Sequence, residues 1–185
     1  DAPLNNDFAY LFHLKNLWDL TEDTTAEVGG SYVFGRNGSG ASLGSGNGNT
    51  NVVGADFTVK WNPARRARYN TVIWQTEYIA AFQETGINAI TGLPNDNNDR
   101  GGVYSFLQYQ FMERWWVQGR YDHFGFHQAK TLNDKNRYTA MLAYVPSEFS
   151  AVRLQYSYLT EQVTEEHLLM LQLNFSMGSH PAHRY

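Results

Sequence analysis

Apolar and polar residues alternate one for one along most of this chain. Between Phe8 and Leu20, the residues Phe8, Tyr10, Phe12, Leu14, Trp18 and Leu20 share one side, with Asn16 the exception. Ala9, Leu11, His13, Lys15, Leu17 and Asp19 share the other. Successive side chains of a strand point to opposite faces, so a period of two predicts a strand with one apolar and one mixed face. The pattern returns in Thr25–Gly35, Val52–Asn62, Thr71–Gln83, Gly102–Phe111, Trp115–Phe124, Asn136–Val145, Ser150–Leu159 and Glu166–Met177. About nine strands and no helix are expected, an all-β antiparallel meander. In the last strand Leu169, Leu171, Leu173, Phe175 and Met177 make the apolar stripe.

Alternation does not distinguish a soluble barrel from a membrane barrel, because each has one apolar and one polar face. Three features favour the membrane. The strands run to the ~9–11 residues or more that a tilted strand needs to cross a bilayer. The polar faces carry Gln, Ser, Thr, Asn and Gly with sparse charge, unlike the charge-rich exterior of a soluble protein. Aromatic residues recur near strand ends (Trp18, Tyr32, Phe34, Trp61, Tyr69, Trp115, Phe124, Tyr144, Phe149, Tyr158), as interfacial girdles require.

The connections read short, long, short, long, short, medium, short, medium, from TEDT (Thr21–Thr24) to TEQVTE (Thr160–Glu165). Short periplasmic turns and longer extracellular loops alternate in outer-membrane barrels. On that pattern the last strand descends, residues 178–185 form a periplasmic tail, and residues 1–177 supply the barrel strands and loops. The first strand then also descends, and Asp1–Asp7 lies at the extracellular surface. Single-chain bacterial barrels have an even strand number. The expectation is therefore an incomplete barrel, the C-terminal part of a transmembrane up-and-down barrel of the ~16–18-strand class that leaves an aqueous channel.

Composition changes this picture little. The 185 residues include 12 Tyr, 11 Phe and 5 Trp, 15% aromatic in all, against 17% charged. A mean hydropathy of -0.49 suits a barrel, in which only alternate residues meet lipid. No run approaches the ~18–20 apolar residues of a membrane helix. No cysteine is present, so disulfides and thiolate metal sites are excluded. A net charge of -4 gives no reason to expect a nucleic-acid partner.

Four segments resemble the C-terminal half of a poorly characterised family of Gram-negative outer-membrane proteins. They are ADFTVKWNPARRARYNTVIWQTEY (Ala55–Tyr78), RWWVQGRYD (Arg114–Asp122), VPSEFSAVRLQYSY (Val145–Tyr158) and LLMLQLNFSMGSHPAHRY (Leu168–Tyr185). Members of that family are labelled porin-like, or zinc-regulated TonB-dependent receptors. The resemblance implies a longer parent with further strands, a place in the bacterial outer membrane, and lipid bilayer and lipopolysaccharide as partners, with other subunits or a periplasmic or surface complex besides. No plug domain or TonB box is matched.

Candidate chemistry is sparse. Lys15, Asp19, Glu27, Asp56, Lys60, Glu77, Arg120, Asp122, Arg137 and Arg153 fall on the polar register and are the pore-lining candidates. Charges lining a water-filled lumen tune ion selectivity; alternatively they pair and brace the wall. Arg120, Arg137 and Arg153, on successive strands, suggest an anion-attracting ladder. His180 and His183 offer two of the four ligands a zinc site takes, set against a plain solvated tail. Asp96, Asn98 and Asp99 faintly match a calcium loop that lacks its twelfth-position Glu. The glycines of Arg36–Asn51 lack the Lys-Ser/Thr and helix of a phosphate loop, so a flexible exposed loop is expected there. A lipid hydrolase would need an outward Ser with a His and an orienting group, and His13, His123 and His167 have no such spacing. The expected function is a porin or channel for small solutes or ions, without catalytic residues or cofactor. A structural barrel anchoring a partner is the alternative.

Overall fold

The computed structural model describes residues 8–37, 48–63, 69–84, 98–127 and 134–176. They form one nine-stranded sheet in sequence order: β1 (Tyr10–Thr21), β2 (Thr24–Asn37), β3 (Gly48–Trp61), β4 (Val72–Gln83), β5 (Arg100–Met112), β6 (Trp115–Phe126), β7 (Lys135–Ser147), β8 (Ser150–Glu161) and β9 (Thr164–Phe175). Every neighbouring pair is antiparallel. Among the described residues the sheet does not close: β1 pairs only with β2, and β9 only with β8. No helix occurs among the described residues.

Register fixes the faces. Residues opposite one another in a ladder share a face, and the alternation expected for each strand joins into two continuous surfaces. One row of the apolar face runs Trp18–Ala26–Val59–Trp74–Leu107–Gly119–Ala140–Tyr156–Leu169 through all nine strands. Near one end of that face Tyr121, Tyr138, Tyr158 and His167 stack from β6 to β9, with ring centroids 5.2, 6.4 and 5.0 Å apart. Near the other end Trp115 meets Tyr144 at 4.7 Å, and Trp61 closes β3. The apolar belt drifts along the strands, from Tyr10–Leu20 on β1 to His167–Phe175 on β9, as a tilted, staggered sheet requires.

No large side chain is fully buried among the described residues. Leu14 is 77% exposed and Leu171 65%. A single layer cannot bury its own apolar face, and this one is far larger than the few hundred Å² a soluble monomer leaves open. The buried apolar residues among those described are the small Ala26, Ala80 and Ala143.

Several boundaries differ from the sequence pattern. The Gly/Ser/Asn segment expected as loop from Arg36 to Asn51 is shorter, because β2 runs to Asn37 and β3 begins at Gly48. Side-chain amides extend the ladder there. Asn37 Nδ2 donates to the Asn49 carbonyl, Thr50 Oγ1 and the Glu84 carbonyl at 3.2, 2.9 and 3.1 Å. The eighth connection, expected to be medium, is the two-residue turn Gln162–Val163, with Gln162 at φ 36°. The third, residues 62–71, is as long as the second, residues 38–47. Strict short–long alternation therefore fails at two connections. The closing strand ends at Phe175, and Met177 lies outside the described residues.

Phe124, counted among the girdle aromatics for its place near a strand end, lies on the polar face opposite Gly102, as its period-two spacing from Asp122 requires. A bulge follows it: Gly101 pairs with Phe126 and Gly102 with Phe124, leaving Gly125 as the extra residue at φ 155°. Glycine tolerates that conformation, and Phe126 returns to the apolar face. There its ring lies 4.6 Å from that of His123 and 6.0 Å from that of Tyr78.

Candidate functional site

All ten charged candidates lie on the polar face, because each is in register with a residue of that face on the next strand. Two cavities open on it, of about 530 and 600 Å³.

The smaller cavity spans β1 to β4. Lys15 Nζ donates to Glu27 Oε1 at 2.6 Å and stands 3.8 Å from Asp56 Oδ2, an ion-pair distance beyond hydrogen-bond reach. Gly29 lies between Lys15 and Asp56 in the row. Its missing side chain leaves the space that the Asp56 carboxylate fills; a Cβ there would lie 2.6 Å from Asp56 Cγ and closer still to its oxygens. Asp56 is also directly opposite Glu77. Asp56 Oδ2 is buried without a hydrogen bond. Three carboxylates on adjacent strands thus share one lysine, an arrangement held by cross-strand geometry rather than by matched charge.

The seam of the face lies at β4–β6. Tyr104 donates to Glu77 Oε2 at 2.6 Å and accepts from Gln75 Nε2 at 3.0 Å. Arg120 lies over the Tyr104 ring, its Cζ 4.2 Å from the centroid. Its Nε also reaches both oxygens of Asp122 at 2.9 and 3.0 Å. Beyond the seam, Arg100, Arg137 and Lys135 line the larger cavity, and Lys135 pairs with Glu161 at 2.9 Å. On this face β2–β4 carry three carboxylates against Lys60, and β5–β8 carry five cations against Asp122 and Glu161.

The arginine ladder does not form. Arg120 is opposite Thr139, Arg137 opposite Asp122, and Arg153 opposite Ala143. Arg137 and Ala143 are six residues apart on β7, ~20 Å at ~3.4 Å per residue, which separates Arg153 from Arg137. Asp19 and Lys60 share a row with Thr25 between them, and neither has an ion-pair partner among the described residues. Arg100, Lys135 and Glu161 escape selection by alternation because they fall just past the strand ends that the pattern marks. Their period-two spacing from Gly102, Arg137 and Leu159 is the signal that could have found them.

Each strand histidine has a neutral partner: His13 with Ser31 at 2.9 Å, His123 with Asn136 at 2.9 Å, and His167 with Tyr156 at 2.7 Å. The His13–Ser31 pair is on the polar face, with no acidic group hydrogen bonded to it among the described residues. Asn98 and Asp99 of the faint calcium pattern are used locally. Asp99 accepts the Gln83 N–H at 3.2 Å, and Asn98 donates to the Gln83 side chain at 3.2 Å. Asp96, His180 and His183 lie outside the described residues. Among the described residues no three His, Asp or Glu side chains converge as a metal site.

No protein-family model matches the chain, and no solved structure does. An uncharacterized protein of Aquifex aeolicus (strain VF5) is 25% identical over 150 residues, covering 75% of this chain and 31% of that protein. The chain spans about a third of the length of this relative.

Proposed function

We propose that the sheet is part of a transmembrane barrel of a bacterial outer membrane, acting as a porin or channel for small solutes or ions. The observation that carries this reading is the continuous apolar face of nine strands, with aromatic residues towards both ends and no second layer over it among the described residues. On β1 the belt from Tyr10 to Leu20 spans ten residue steps, ~33 Å at ~3.3 Å each. A ~40° tilt foreshortens it to the ~25 Å height of an outer-membrane apolar band. Lipid, with lipopolysaccharide at the outer leaflet, is the partner of that face; water fills the polar side. Strands β1 and β9 run in the same direction, since eight antiparallel pairings separate them. An all-antiparallel barrel needs an odd number of further strands between them.

The test is reconstitution of the full-length protein carrying this sheet into planar bilayers. Discrete conductance steps of reproducible size are expected. Insertion verified by heat-modifiable migration and protease protection, but with no conductance, would replace the channel with a structural barrel that holds a partner.

A further inference from the structure

We propose that the larger cavity on the polar face binds a small organic carboxylate with an apolar body, and that Arg137 is its anchor. The proposal rests on the reading of this face as a solute passage, and names the solute class it favours. The cavity holds about 600 Å³, enough for a small ligand. Ile79, Ala81, Phe124 and Leu159 give it apolar walls, and Gly102 keeps its floor low. A Cβ on Gly102 would lie 2.9 Å from the His123 carbonyl oxygen, so this floor accepts no side chain without a backbone shift.

The charges around it are unevenly matched. Lys135 is taken by Glu161 at 2.9 Å. Glu77 accepts the Tyr104 hydroxyl at 2.6 Å. Asp122 is the in-register neighbour of Arg137, yet its carboxylate is turned along its own strand to Arg120. Arg137 is left exposed, with no hydrogen bond or ion pair among the described residues. Arg100 bonds a neutral acceptor, Asn98 Oδ1 at 3.0 Å, and so keeps its charge uncompensated. The next acid in the row, Glu166, is two strands from Arg137, ~10 Å at ~4.8 Å per strand.

An unmatched guanidinium beside apolar walls favours a particular ligand chemistry. Its planar fork matches the two oxygens of a carboxylate. The walls take the hydrocarbon part, which inorganic anions lack. A neutral analogue would keep the wall contacts and lose the ionic pair.

Benzoate is a suitable probe, titrated calorimetrically against the full-length protein in zwitterionic detergent. Saturable one-to-one binding is expected, weakened about tenfold by Arg137→Gln, the scale of one charge-assisted pair. Arg114→Gln, in the turn between β5 and β6, should leave it unchanged. Benzamide should bind about tenfold more weakly than benzoate, and equimolar phosphate should not compete. Binding indifferent to Arg137→Gln, phosphate competing equally, or uptake that never saturates, as in micelle partition, would each overturn the proposal. Conductance measured on the same preparation separates the two readings. Channels without an Arg137-dependent benzoate site defeat this inference alone, and a benzoate site without conductance defeats the channel alone.

Discussion

Leu154→Arg is expected to destabilise the bilayer-inserted protein by about 2–4 kcal/mol, and Gln155→Arg, one position on, to change it by under about 1 kcal/mol. Leu154 lies in the apolar row between Leu142 and Leu171, midway along β8 between Tyr158 and Ser150. A cation there meets hydrocarbon. Gln155 lies on the polar face between Met141 and Met170, where native Arg153 already stands on the same strand. The size of the contrast depends on the medium. Leu154 is 45% exposed, and at an exposed site in water the change to Arg would fall within about 0.5 kcal/mol of zero. Denaturant unfolding from lipid vesicles measures the difference. Equal stability of the two variants would remove lipid from the apolar face.

That contrast rests on faces legible in the amino-acid sequence itself, because a period of two records orientation residue by residue. It fails only where a residue is inserted. The bulge at Gly125 moves Phe126 to the apolar side, two positions past the polar-face Phe124, and the lone glycine of HFGF is a weak mark of it. Strand ends are less legible, since they depend on partners far along the chain. Glu84 supports β3 by accepting from the Asn49 backbone and side chain at 2.9 and 3.1 Å, where composition alone suggests a loop. The membership of the polar face follows from alternation, but its pairings do not. Asp122 has Arg120 two residues away and Arg137 across the ladder, and only side-chain geometry shows that the first takes it. The free Arg137 is a consequence of that choice, so the larger cavity is not visible in the sequence.

Gly29→Val and Gly30→Val, adjacent in sequence, are expected to act in opposite directions. At Gly30, on the apolar face, a new Cβ meets nothing within 4 Å. Valine there removes the entropy cost of a strand glycine and adds apolar surface, for a gain of about 0.5–1 kcal/mol. At Gly29 the new Cβ falls on the Asp56 carboxylate, 2.6 Å from its Cγ. Overpacking of this kind costs about 1–3 kcal/mol. The displaced carboxylate must also leave the side of Lys15 and move towards Glu77, its cross-strand neighbour, where like charges repel. Removing the obstacle provides the check: Asp56→Ala in the Gly29→Val background should recover most of the loss, because one space then holds one side chain. Coupling between the two sites is measured by a double-mutant cycle in vesicle unfolding. Additive losses would mean that Gly29 is not the gap through which Lys15 and Asp56 approach.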